Sequence, residues 1–119
     1  MQDKWGSINN VMKRRRIAIL GLHETHPNDE MRETIGRRFQ NALHVIHSAD
    51  PENPSTMGGV SIAIHKGMVD ARHVTHHTVI PGRVILVRIP WNGSDRISIM
   101  NIYAPVKNTE KAEFWKLLL

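Results

Sequence analysis

Two strand-like segments in the second half of the chain constrain its fold more than any other sequence feature. Residues 83–91 (RVILVRIPW) and 96–105 (RISIMNIYAP) are rich in apolar and β-branched residues, and only NGSD at 92–95 separates them. Asn-Gly between two such segments is the most typical short hairpin turn. The sequence therefore predicts an antiparallel strand pair, which requires a sheet that is at least partly antiparallel.

The remainder of the chain alternates between helical and strand-like segments. Helical periodicity is present at 4–16, 27–39 and 108–119, and shorter strand-like segments lie at 17–22, 42–49, 58–67 and 73–80. The segment 17–22 (IAILGL) is apolar throughout, which predicts a strand buried on both faces. The segment 58–67 (GGVSIAIHKG) alternates, which predicts a half-buried strand. This order indicates one α+β or layered α/β domain over 1–119, with a largely antiparallel sheet.

Composition excludes several classes of site. The chain has no cysteine, which removes disulfides, thiolate zinc sites and cysteine nucleophiles. Its net charge of +5 favours polyanions such as nucleic acid. No apolar run approaches the ~20 residues needed to cross a membrane, and the first residues lack the apolar segment of a secretory signal. We therefore expect an intracellular protein, nuclear or cytoplasmic, without a membrane partner.

The segment HETH at 23–26 follows the predicted strand directly. Glu24 thus lies at a carboxyl strand end, where open α/β sheets place ligands, and a carboxylate there could bind Mg²⁺. Spacing alone nevertheless favours an ordinary solvated glutamate. Further along the chain, alternation places Asn101 and Tyr103 on one face of the last strand. Tyr103 could donate a hydrogen bond to a phosphate or simply cover the core.

The eight histidines include three His-x-x-His pairs, but all three fall on predicted strands or turns. Because strand side chains alternate between faces, the members of such a pair should point apart. For the same reason, His23 and Glu24 are expected on opposite faces. A dedicated zinc site is therefore not expected, and most histidines should lie at the surface or rim.

Four stretches in a fixed order carry a family resemblance: AILGLHETH (18–26), GGVSIAIHKG (58–67), PGRVILVRI (81–89) and MNIYAP (100–105). Together they resemble the N-terminal half of the endonuclease/exonuclease/phosphatase superfamily, in particular the apurinic-endonuclease-like domains of LINE-type fungal retrotransposons. The resemblance implies a four-layer α/β sandwich with two face-to-face sheets and Mg²⁺-dependent hydrolysis of DNA phosphodiesters. It implies that Glu24 helps to hold the metal and that Tyr103 lies against the scissile phosphate. Asn101 and Arg83 are further candidates for contact with nucleic acid.

The chain departs from this family pattern in several places. His23 stands where a glutamine is usual, and Val106 stands where many members have an asparagine that contacts nucleic acid. The first strand of the family and its Gly-Asp-x-Asn and Ser-Asp-His motifs would lie beyond the two ends of the chain. We therefore expect a domain truncated at both ends, with an incomplete Mg²⁺ site and deficient catalysis. Its missing half or another chain would be needed to cover the core.

Two other interpretations fit the sequence. In the first, the chain is a non-catalytic, basic nucleic-acid-binding module to which Lys13–Arg16, Arg37, Arg38 and Arg83 contribute charge. In the second, it is an inert retrotransposon remnant. Both interpretations keep the same fold class and differ in whether DNA is bound.

Overall fold

The structure, a computed structural model, describes residues 3–119. The helices are α1 (Lys4–Arg15), α2 (Asp29–Arg38) and α3 (Asn108–Leu118). The strands are β1 (Ile19–His23), β2 (Leu43–Ser48), β3 (Val60–His65), β4 (Thr75–Ile80), β5 (Val84–Pro90) and β6 (Arg96–Ile102). A short 3₁₀ helix, Ala71–His73, precedes β4. The predicted element order is confirmed, with ends that differ by a few residues, and the 3₁₀ turn was not predicted.

The six strands form two sheets of three, in the orders β1-β3-β2 and β4-β5-β6, and every pairing is antiparallel. The predicted hairpin joins β5 to β6. Its turn is closed by the Trp91 N–H, which donates to the Asp95 carbonyl at 2.8 Å. Asn92 and Gly93 have φ angles of 49° and 69°, the positive values that this dipeptide tolerates. The mixed α and β architecture with antiparallel sheets is thus as predicted.

The first sheet is covered on both sides. Its inner face packs against the second sheet through a shared core of Ile46, Val60, Ile62, Ile64, Val69, Ile85, Val87 and Ile89. Its other face packs against the two N-terminal helices through Trp5, Met12, Ile35, Phe39, Leu43 and Ala63. The order of layers is therefore helices, first sheet, second sheet.

The predicted burial of two strands was wrong. β1, expected to be buried on both faces, is an edge strand whose residues are only partly buried or exposed. β3, expected to be half-buried, lies in the middle of its sheet and is buried from Val60 to Ile64. The error has a simple cause, because Ser61 and Ala63 are small residues that face the helices and were taken as solvent-facing.

The second sheet has a more open outer surface. Along β6, four of the first five residues are exposed, and the first four residues of β4 are exposed as well. α3 follows β6 and lies beside β4. Within residues 3–119, no helix combines the length and apolar character required to cross a membrane.

Candidate functional site

The site is built around Glu24 and Tyr103, which lie 79 positions apart in the sequence. β1 ends at His23, and the chain then turns sharply, with φ angles of 56° at Glu24 and 48° at His26. Tyr103 follows the end of β6. Its hydroxyl donates a hydrogen bond to Glu24 Oε1. The other carboxylate oxygen, Oε2, lies 2.8 Å from His26 Nε2. Both oxygens of Glu24 therefore have a partner.

These contacts set the charge states of the pair. The hydrogen bond from Tyr103 is the main cause that lowers the pKa of Glu24, the hydrogen bond from His26 adds to it, and partial burial opposes both. The same hydrogen bond to Glu24 raises the pKa of Tyr103. At neutral pH the site consequently holds an ionised carboxylate beside a neutral phenol.

His23 and Glu24 both contact Tyr103, although the sequence predicted that they would point to opposite faces. The two rings stack with centroids 5.0 Å apart and an interplanar angle of 28°. Alternation fails because β1 ends at His23, and the left-handed conformation of Glu24 returns its carboxylate to the same side. His23 and Glu24 thus contact the same tyrosine.

Asn101 connects this cluster to both sheets. Its Nδ2 donates to the Leu22 carbonyl at 3.2 Å and to the Ser61 carbonyl at 3.0 Å. Its Oδ1 must then accept from His23 Nε2, which lies 2.8 Å away, so this histidine nitrogen carries a proton. Gly21 packs closely against this side chain, since a Cβ atom on Gly21 would lie 3.3 Å from the Asn101 amide. Because both amide protons are engaged, a nucleic-acid contact by Asn101 would have to displace one of these bonds.

Arg83 supplies a positive charge in direct contact with Tyr103. Its guanidinium lies 4.9 Å from the centroid of the Tyr103 ring, and its Nη1 donates to the Tyr103 carbonyl at 3.2 Å. The Tyr103 N–H in turn donates to the Arg83 carbonyl at 2.7 Å. Arg83 is thereby held against the tyrosine, and its predicted contact with nucleic acid stays a prediction.

An open cleft of about 270 Å³ lies in front of these groups. Its lining residues are Glu24, Asp50, Thr56, Met57, Gly58, Arg83, Tyr103, Ala104, Val106, Lys107 and Glu110. The cleft therefore contains two cations and three carboxylates. Its lining also includes Val106, one of the two positions at which the sequence departs from the family pattern.

The donors in the cleft suit a hard cation only in part. Glu24 offers an ionised carboxylate, and Asp50 is a second acid in the lining, although its Oδ1 already accepts from the N–H groups of Glu52 and Asn53. Among residues 3–119, no three His, Asp or Glu side chains converge as a metal-binding group. Mg²⁺ often takes one or two protein carboxylates together with substrate phosphate, and this donor set is compatible with that mode.

Sequence reasoning missed a polar cluster directly behind Glu24. Thr25 is 1% exposed and Ser61 is fully buried. The Ser61 hydroxyl donates to Thr25 Oγ1 at 2.9 Å, and His47 Nδ1 lies 2.9 Å from Ser61 Oγ. Burial lowers the pKa of His47 to about 4, with a smaller contribution from Arg32. His47 does not lie at the surface or rim, where most histidines were predicted. Only the strand register places these three residues together.

In comparisons with known proteins, no protein-family model matches this chain and no curated protein matches it. The likeness to the endonuclease/exonuclease/phosphatase superfamily therefore rests on the four sequence stretches.

Proposed function

We propose that this chain carries part of a Mg²⁺-dependent phosphodiesterase site of the endonuclease/exonuclease/phosphatase type, with DNA as its substrate class. One observation carries the proposal. The four stretches that suggested the superfamily are far apart in sequence, and each contributes a residue to the lining of one cleft: Glu24, Gly58, Arg83 and Tyr103. Two antiparallel sheets packed face to face are also what a four-layer sandwich of this type would have at its centre.

The proposed roles follow from charge and hydrogen bonding. Glu24 would hold the Mg²⁺ ion, because its lowered pKa keeps it ionised. When bound, the ion would neutralise charge on the phosphoryl oxygens. The Tyr103 hydroxyl would turn from Glu24 to donate to a phosphate oxygen, and Arg83 would add a positive charge beside it.

The proposal includes deficient catalysis by the chain alone. Hydrolysis needs a base within hydrogen-bond reach of the attacking water. In the part of the chain that the structure describes, two histidines lie beside the Glu24–Tyr103 pair: His26 Nε2 is already bonded to the carboxylate, and His23 Nε2 is bonded to Asn101. We therefore expect binding of metal and phosphate without efficient turnover.

The first test measures binding and nicking with the same protein samples. Mg²⁺ is titrated in the presence of a short DNA duplex, with NMR signals of Glu24 and Tyr103 as the readout, and nicking of supercoiled plasmid is followed in parallel. Glu24→Gln should abolish the Mg²⁺-dependent shifts. Glu33→Gln, which changes an exposed acid on α2, should leave them intact.

Two results would contradict the proposal. If the Glu24 and Tyr103 signals of the wild-type protein do not change on addition of Mg²⁺ and DNA, the proposed site is refuted. Plasmid nicking that depends on Glu24 and proceeds efficiently would refute the deficiency while supporting the family assignment.

A second candidate function is DNA binding without any metal chemistry. It is favoured by Arg14, Arg15 and Arg16, which are exposed at the end of α1 and take part in none of the ion pairs found within residues 3–119. Replacing the three arginines by alanine should weaken DNA binding and reduce the slope of log affinity against log salt by about one per lost phosphate contact. Binding that is independent of salt would argue against this function, and complete absence of binding would favour an inert remnant.

A further inference from the structure

The turn that carries Glu24 has an unfavourable backbone. Glu24 and His26 both adopt left-handed φ angles, 56° and 48°, which residues with a Cβ seldom occupy. Two such residues within three positions need support from their surroundings. Thr25, between them, is buried, with 1% exposure.

Backbone contacts supply one part of that support. The His26 N–H donates to the Gly58 carbonyl at 3.2 Å, and the Asn28 N–H donates to the His26 carbonyl at 2.8 Å. Pro27 packs so closely on Gly59 that a Cβ there would lie 2.5 Å from Pro27 Cδ. These contacts hold His26 and the residues after it, and neither hydrogen bond involves the Thr25 side chain.

Side-chain hydrogen bonds supply the other part. Thr25 Oγ1 accepts from the buried hydroxyl of Ser61 at 2.9 Å, and Ser61 Oγ lies 2.9 Å from His47 Nδ1. Because Ser61 donates to Thr25, its oxygen is free to accept the proton of His47 Nδ1. His47 and Ser61 are paired residues of β2 and β3, so the chain of bonds is anchored in the middle of the first sheet.

We propose that the hydrogen-bonded chain from His47 through Ser61 to Thr25 is a positioning device that holds the Glu24 turn in its left-handed conformation and so directs the carboxylate towards Tyr103. The part of this proposal that concerns metal binding by Glu24 rests on the proposed function. The part that concerns the conformation of the turn requires neither metal nor DNA. Thr25, Ser61 and His47 are positioning residues, since none of the three lines the cleft and their side-chain bonds reach it through the Glu24 turn.

The test compares Thr25→Val, which removes the hydroxyl and keeps the shape, with Thr25→Ser, which keeps the hydroxyl. The readouts are the Glu24 coupling constant that reports φ, the nuclear Overhauser contact between Glu24 and the Tyr103 ring, and exchange of the His26 amide proton. Thr25→Val should weaken the contact, change the coupling constant and speed the exchange by about tenfold. Thr25→Ser and the exposed strand control Thr78→Val should match wild type.

Two patterns would overturn the proposal. One is a Thr25→Val protein with wild-type coupling, contact and exchange. The other is a Thr25→Ser protein as altered as Thr25→Val, which would assign the effect to the lost methyl group. If Thr25→Val does not fold, His47→Leu, which removes the far end of the chain, is measured in the same way with the same expectation.

Mg²⁺ titration of the same variants separates this proposal from the proposed function. Wild-type protein that binds no Mg²⁺ refutes the metal site, and the coupling and exchange data still decide the positioning role. Wild-type protein that binds Mg²⁺ with the same affinity as a well-folded Thr25→Val variant refutes positioning of the carboxylate and leaves the metal site standing.

Discussion

Among single side chains, Tyr103 has the strongest influence on Glu24, because its hydrogen bond is the largest cause that lowers the pKa of the carboxylate. Tyr103→Phe removes this donor and keeps the ring that stacks on His23. We expect the pKa of Glu24 to rise towards its ordinary range, as measured by ¹³C NMR titration of the carboxyl group. His26→Gln, which alters the other side-chain hydrogen bond to this carboxylate, should raise it less. If the pKa of Glu24 rises more in His26→Gln than in Tyr103→Phe, the hydrogen bond from Tyr103 is not the larger of the two contributions.

His47 predicts a specific loss of stability in acid. Burial lowers its pKa from 6.5 to about 4, so the unfolded chain binds a proton between these values that the folded chain does not. Stability should therefore fall as the pH drops from 6.5 towards 4, by up to roughly 3 kcal/mol from this residue. The free energy of unfolding, measured by urea denaturation at several pH values, should depend less steeply on pH in His47→Gln than in wild type. His77→Gln, an exposed histidine on β4, serves as the control and should keep the wild-type slope.

For individual residues, the sequence could select candidates from short motifs, but it could not predict what depends on packing. Glu24 and Tyr103 were selected because they end strand-like segments and match motif positions, and the fold does bring them together. Nothing local in the sequence shows that Ser61 would be fully buried between Thr25 and His47. That fact depends on which residues of β2 and β3 face each other, which requires the register.

The end of the loop between β2 and β3 supports the Glu24 turn by close packing. Gly59 has a φ of 92°, and a Cβ there would lie 2.5 Å from Pro27 Cδ and 3.1 Å from the His26 nitrogen. Gly59→Ala should therefore lower the free energy of unfolding by about 2 kcal/mol or more, measured by urea denaturation. Gly36→Ala, in α2 with no atom within 4 Å of the added Cβ, should instead raise it by about 0.5–1 kcal/mol. Equal effects of the two substitutions would contradict this interpretation.

Local signals were sufficient for the helices and strands and insufficient for the 3₁₀ turn and for strand order. The hairpin at 92–95 and the periodicity of α1 and α2 were identified because turn chemistry and helical spacing act over a few residues. Whether a strand is central or at an edge depends on pairing with distant segments. β1 is strongly apolar and yet lies at an edge, whereas β3 is central with serine and alanine facing the helices.

For the whole molecule, the layers are unequal in how completely they are covered. The first sheet is enclosed between the helices and the second sheet, whereas much of the outer face of the second sheet and of α3 meets solvent. Trp115 is 41% exposed, Leu117 70% and Leu119 98%, all of them on or next to the last turns of α3. At about 100° per residue, Trp115 and Leu119 share one side of the helix and Leu117 lies on another. The end of α3 thus exposes apolar surface on more than one side, which favours association.

We therefore expect the protein to self-associate at high concentration through the end of α3. The double variant Leu117→Glu with Leu119→Glu should shift the sedimentation profile towards monomer, because it removes apolar surface and places repelling charges in the contact. Lys111→Glu changes the net charge by the same amount at an exposed polar position of α3 and should leave association unchanged if apolar burial drives it. A fully monomeric wild-type protein at high concentration, or equal dissociation of both variants, would show that this surface does not mediate association.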